Sequence, residues 1–134
     1  MPETTYIDFL LPAIIIPDNN QNKAIYVVQA QDDKKIKLHI VGGAQGHQEV
    51  IHYLGLEGIF LGGGVIVLNQ LEKVVKANSI SGTLGAFPVR LLEQYFQCFG
   101  YTFEACYKDE KRKMQKSTIK WLEDRGINID NLYV

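Results

Sequence analysis

Three consecutive glycines sit inside a run that otherwise reads as a β-strand, Leu61-Gly62-Gly63-Gly64-Val65-Ile66. Glycine weakens a strand interior, because it loses more backbone freedom on folding and has no side chain to pack. A glycine run there marks a bulge or a point that another piece of backbone approaches closely. The three residues are therefore read as architectural. They let the sheet bend, or let a distant segment come into contact. The lysine and spacing of a nucleotide P-loop are missing, so that assignment is rejected.

The flanking patterns supply the rest of the fold. A strand is expected near 13–16, after Pro12 and before the turn Pro17-Asp18-Asn19-Asn20, and a second over the β-branched stretch 24–30. Asp32-Asp33 makes a hairpin into 35–41, where Ile36, Leu38 and Ile40 alternate with Lys37 and His39 as in a half-buried strand. A short helix follows over 47–54, ended by Gly55, with Val50, Ile51 and Leu54 on one stripe with His47. Strands over 56–68 and 73–80 come next. Pro88 suits the first turn of a helix through Leu91, Leu92, Tyr95 and Phe96 that stops before Gly100. A last strand spans 101–107, with Tyr101, Phe103, Ala105 and Tyr107 alternating against polar residues. A final helix spans 109–125, with Asp109 as cap, Gly126 past its end, and Met114, Thr118, Trp121 and Leu122 as its apolar stripe. The tail 127–134 adds an edge strand or docks loosely. The order β-β-β-α-β-β-α-β-α predicts an α/β (α+β) domain: a mixed sheet of about six strands packed by two helices plus a C-terminal helix.

At 134 residues the chain is expected to form one domain over 1–134 with a core of its own. A net charge of −1 gives no general attraction to nucleic acid or acidic membranes, and no aromatic–basic interleaving points to RNA. The basic residues between Lys108 and Arg125 read as a solvated helix face. Cys98 and Cys106 offer neither a disulfide framework nor zinc spacing, so both are read as packed, reduced thiols in a cytoplasmic protein. Asp8 interrupts the first apolar stretch and no basic region precedes it, so no signal peptide or membrane span is expected.

Chemistry concentrates in three places. Ser81-Gly82-Thr83-Leu84-Gly85-Ala86 lies between a strand and a helix. Turns of that kind leave backbone N–H groups pointing outward, where an anion or phosphate binds, and the Ser81 and Thr83 hydroxyls add donors. The plainer alternative is ordinary turn chemistry. His47 opens a helix, where the dipole disfavours a positive ring; a neutral imidazole serves as base or nucleophile. Its plainer alternative is a histidine that simply bonds a backbone carbonyl. Lys23, between a polar turn and an apolar strand, is a point charge for an anion or else a solvated lysine. His39 is expected to be exposed or edge-facing and His52 solvated; the three histidines show no metal-ligand spacing, and neither metal nor cofactor is expected.

Four patches, in order, resemble the phosphohistidine phosphatase (Janus/Ocnus) family. Leu11-Pro12-Ala13-Ile14-Ile15-Ile16 is similar to its opening strand. Lys23 with Ala24-Ile25-Tyr26-Val27-Val28 is similar to its lysine-then-strand segment. Leu61-Gly62-Gly63-Gly64-Val65-Ile66 resembles its L-G-G-G-R-I run, with Val65 for arginine. At matching separation, Ser81-Gly82-Thr83-Leu84-Gly85 resembles its S-M-A-Y-G phosphate loop, with Leu84 for tyrosine and Ile80 for the preceding aromatic residue. The resemblance covers 11–108 and leaves out 109–134. It implies a domain that holds a phosphoryl group with Lys23, Ser81, Gly82, Thr83 and Gly85. It also implies a catalytic histidine that hydrolyses phosphoramidates such as phosphohistidine without a metal. A shorter connection before the glycine run puts that histidine at His47; an ungapped count falls beside His39. The implied partner is a phosphorylated protein or a small phosphate-bearing ligand, with no nucleic acid and no membrane. The substitutions at Ile80 and Leu84 motivate an alternative, a non-catalytic binding or assembly protein that keeps the fold, with a homodimer through the Trp121 helix.

Overall fold

The computed structural model describes residues 7–16, 23–44, 46–78, 84–105 and 114–132. Strands β1 (Asp8–Ile15), β2 (Lys23–Gln31) and β3 (Lys35–Gly42) precede helix α1 (His47–Leu54). Then come β4 (Ile59–Asn69), β5 (Val74–Ala77), α2 (Val89–Cys98), β6 (Thr102–Ala105) and α3 (Lys116–Asp124), followed by a 3-10 turn at Ile129–Leu132. The class is mixed α+β, and the order of strands and helices is the one expected. One six-stranded sheet runs β1-β3-β2-β4-β5-β6. Its outer pairs β1–β3 and β5–β6 are parallel, and its inner pairs are antiparallel.

Alternation along the strands sorts the interior into two layers. Tyr26, Val28, Leu38, Ile40 and Ile66 join Tyr95, Phe96, Trp121 and Leu122 in the larger cluster, beneath α2 and α3. Val27 and Val41 join Val50 and Leu84 in the smaller one, beneath α1. Successive residues of β2 thus face opposite layers, so the central strands are covered on both sides.

Several sequence expectations are corrected. β1 starts at Asp8 and runs through Pro12. Leu10 pairs with Lys37 and Ala13 with His39, so Leu11 and Pro12 together face Leu38 in a bulge. The hydroxyl of Tyr95 fills the gap. It accepts from Leu38 N at 3.3 Å and donates to Leu10 O at 2.5 Å. Cys98 is exposed, because it lies off the stripe of Leu91, Leu92, Tyr95 and Phe96 that α2 buries; Cys106 lies outside the described residues. α3 begins at Lys116 with Gln115 as cap, and Asp109 lies outside the described residues. The tail is neither an edge strand nor loose, since Ile127, Ile129 and Leu132 are buried in the larger cluster. Met114, Thr118, Trp121 and Leu122 are all buried as expected, and the Thr118 hydroxyl donates to Leu61 O at 2.9 Å, fixing α3 to β4. Trp121 is packed in the larger cluster and 6% exposed. Among the described residues no helix is long and apolar enough to cross a membrane.

Candidate functional site

The glycine run is a junction of three segments. A Cβ at Gly62 would lie 2.9 Å from the carbonyl of Ala86 and from Phe87 Cβ. One at Gly63 would lie 2.6 Å from His47 Cδ2, and one at Gly64 only 2.0 Å from Asn78 O. No side chain fits any of the three positions without moving backbone or the histidine ring. The close approach inferred from sequence is thus made by α1, by the chain leaving β5, and by the chain returning toward α2.

His47 is the first residue of α1 and 9% exposed. Its ring lies on Gly63, and Nε2 is 3.1 Å from Gly64 O. A carbonyl oxygen only accepts, so Nε2 carries the proton and donates it. In the neutral ring Nδ1 then holds a lone pair. Burial pushes the imidazole below its ordinary range, and the Gly64 carbonyl opposes this in part. The structure shows the plainer of the two readings offered by the sequence, a histidine that bonds a backbone carbonyl. The carbonyl bond fixes the ring and its tautomer, and the other nitrogen keeps the basic electron pair. Gly46 precedes α1 in an extended conformation with no side-chain cap, so no side chain of the cap residue takes up the first amides of the helix.

The chain after β5 is pinned to the same strand. Asn78 N donates to Val65 O at 3.0 Å, and Gly63 N donates to Gly85 O at 3.2 Å. Gly85 has φ +78°, a left-handed conformation that favours glycine. Leu84 packs with Val27, Val41 and Val50, so the end of the serine turn lies on the α1 face of the sheet, with His47's helix. Ser81, Gly82 and Thr83 lie outside the described residues. Lys23 opens β2 opposite Val67, whereas Gly63 pairs with Val27. Its backbone is thus four residues away, roughly 13 Å along the strand. A groove of about 530 Å³ starts at Leu84 and runs between Ile59, Phe60, Trp121, Lys120 and Arg125.

His39 corrects the expectation of an exposed residue. It is 6% exposed on the α1 face, in register with Val27 and hence in one row with Gly63. Its Nε2 is 2.8 Å from Gln29 Oε1, which also accepts from Gln31 Nε2 at 3.0 Å; Gln29 Nε2 donates to Glu57 O at 2.7 Å. Burial, then the charge of Lys37, pushes this imidazole down as well. His39 thus ties β3 to β2 and to the connection after α1, two strands from the His47 junction. Sequence reasoning also missed Asn78, whose only sign was its place just before a serine-rich turn. Among the described residues no cluster of three His, Cys, Asp or Glu is arranged to hold a metal ion.

Comparison with known protein families finds no match for this chain, and a search of curated proteins finds none either.

Proposed function

We propose that this chain binds a phosphoryl group between His47, the turn 81–85 and Lys23. We further propose that it belongs in fold and chemistry with the phosphohistidine phosphatases. The observation that carries the reading is the seat of His47 on Gly63 and Gly64, with Gly85 bonded to the same Gly63. The fixed Nε2–H tautomer leaves Nδ1 as the reactive atom. As general base, Nδ1 takes a proton from water while the water oxygen attacks phosphorus, the P–N bond breaks, and the leaving nitrogen takes a proton from solvent. As nucleophile, Nδ1 bonds phosphorus as that P–N bond breaks, and water then hydrolyses the phosphorylated ring. Turn amides and the Ser81 and Thr83 hydroxyls hold the charge that gathers on the transferring oxygens. The groove at Leu84 has room for the remainder of a phosphorylated protein or small ligand.

The test is hydrolysis of a phosphoramidate by wild type and by His47→Ala. Loss of turnover in the variant supports the reading, and equal rates remove His47 from the mechanism.

A second reading, a binding or assembly protein without turnover, is favoured by Leu84. This residue stands where the resembling family has tyrosine, and it is buried with Val27, Val41 and Val50. Stabilisation by millimolar phosphate with no turnover assigns the protein to binding alone. A melting temperature unmoved by phosphate assigns it to assembly.

A further inference from the structure

The chain leaves the β4 edge at Asn78 and rejoins it at Gly85, and the two ends are held by different means. Gly85 is held through its backbone carbonyl, which accepts from Gly63 N. Asn78 is held through its amide, its side chain and its carbonyl. Its amide donates to Val65 O at 3.0 Å, its side-chain Oδ1 accepts from Val65 N at 3.0 Å, and its carbonyl accepts from the Tyr26 hydroxyl at 2.6 Å. In a continuing strand the Val65 N–H would bond the backbone carbonyl of residue 78. Here the side chain takes that bond. The carbonyl is released toward Tyr26, and β5 ends at Ala77.

Tyr26 reaches this carbonyl from the opposite layer. It is fully buried in the cluster beneath α2 and α3, and it pairs across the ladder with Gly64, the residue whose carbonyl holds His47. Both sides of one peptide are in use. The His47 ring bonds the Gly64 carbonyl, and the Tyr26–Asn78 bond occupies the space a Gly64 side chain would need. Val65 and Gly63 are two residues apart, so the two ends of the turn are anchored roughly 7 Å from each other.

We infer that Tyr26 and Asn78 are positioning residues for the turn 81–85. They set where it leaves the sheet relative to His47, and neither touches the bound anion. This rests on the reading of that turn as the phosphoryl-binding element.

The test uses the full chain and inorganic phosphate as probe, measuring melting temperature against phosphate concentration, together with KM and kcat for a phosphoramidate over pH. The variants are Tyr26→Phe and Asn78→Ala. Tyr95→Phe is the control, since it also loses a buried tyrosine hydroxyl but at the β1 bulge. The expected result is that Tyr26→Phe needs about fivefold more phosphate for half of the maximal protection, the worth of one buried hydrogen bond. KM rises alike, and the pH midpoint of kcat stays in place. Tyr95→Phe lowers the phosphate-free melting temperature and leaves the phosphate dependence unchanged. If Tyr26→Phe behaves like Tyr95→Phe, the positioning role is overturned while the proposed function stands. Should Tyr26→Phe not fold, Asn78→Ala decides on the same readouts. A wild type that phosphate does not protect overturns the proposed function, and the positioning role with it.

Discussion

His47 donates from Nε2 to the carbonyl oxygen of Gly64 at 3.1 Å, and this single bond fixes both the place of the ring and the nitrogen that keeps its lone pair. The bond exists because Gly63 has no side chain. A Cβ there would lie 2.6 Å from the ring and 2.7 Å from Tyr26 O.

Gly63→Ala is therefore expected to destabilise the fold by about 1–3 kcal/mol through overpacking. Gly64→Ala is expected to cost more, because the obstructing atom is a backbone oxygen at 2.0 Å. Gly46 has open space around it, and Gly46→Ser should change stability by no more than about 0.5 kcal/mol. Urea unfolding of the three variants checks the order. Similar costs at positions 46 and 63 contradict it.

The two buried histidines give stability an acid limb. Burial lowers the folded pKa of both His39 and His47 below the ordinary 6.5. Between the folded value and 6.5 the unfolded chain binds more protons, so stability rises with pH in that window. Above it neither group contributes; below 6.5 stability falls, by at most about 1.4 kcal/mol per pH unit for each histidine. Urea midpoints at pH 7.5 and 5.5 should differ less in His39→Gln than in wild type. An equal drop in both contradicts the assignment.

Tyr95→Phe leaves the Leu38 amide without its hydroxyl acceptor at the β1 bulge. An unsatisfied buried amide costs about 1–3 kcal/mol. Chemical denaturation measures it. A neutral variant would show that water or the backbone replaces the hydroxyl.

Arg125 lies over the Trp121 ring at 3.8 Å, donates from a guanidinium N–H to Trp121 O at 2.7 Å, and donates from Nε to Asp33 O. Lysine lacks the planar fork that serves all three contacts. Arg125→Lys should lose about 1 kcal/mol and change the emission of the chain's one tryptophan. Unchanged fluorescence and stability would discount the contact.

Local chemistry made much of this fold legible. The helix at 47–54 ends at Gly55 as expected, in a left-handed cap. The glycine run announced a close approach, and α1 with the flanks of the serine turn supplies it. What was not legible depends on distant partners. Pro12 reads as a strand break, but a bulge and the hydroxyl of Tyr95, 85 residues from its partner Leu10, carry β1 through it. His39 alternates with apolar residues and so reads as solvent-facing. Period two separates the faces of a strand, but it does not say whether the second face is covered. Gln29 and the connection after α1 cover it here. Asn78 looks like a turn residue, and its bond to Tyr26 crosses 52 positions.

The most direct measurement is the ring-nitrogen spectrum of the histidines by NMR, with and without inorganic phosphate. At neutral pH the expected His47 ring is protonated at Nε2 and bare at Nδ1, and phosphate shifts Nδ1 and raises its pKa while His39 stays unchanged. A His47 whose nitrogens and titration do not respond to saturating phosphate would contradict the claim that this imidazole faces the bound anion.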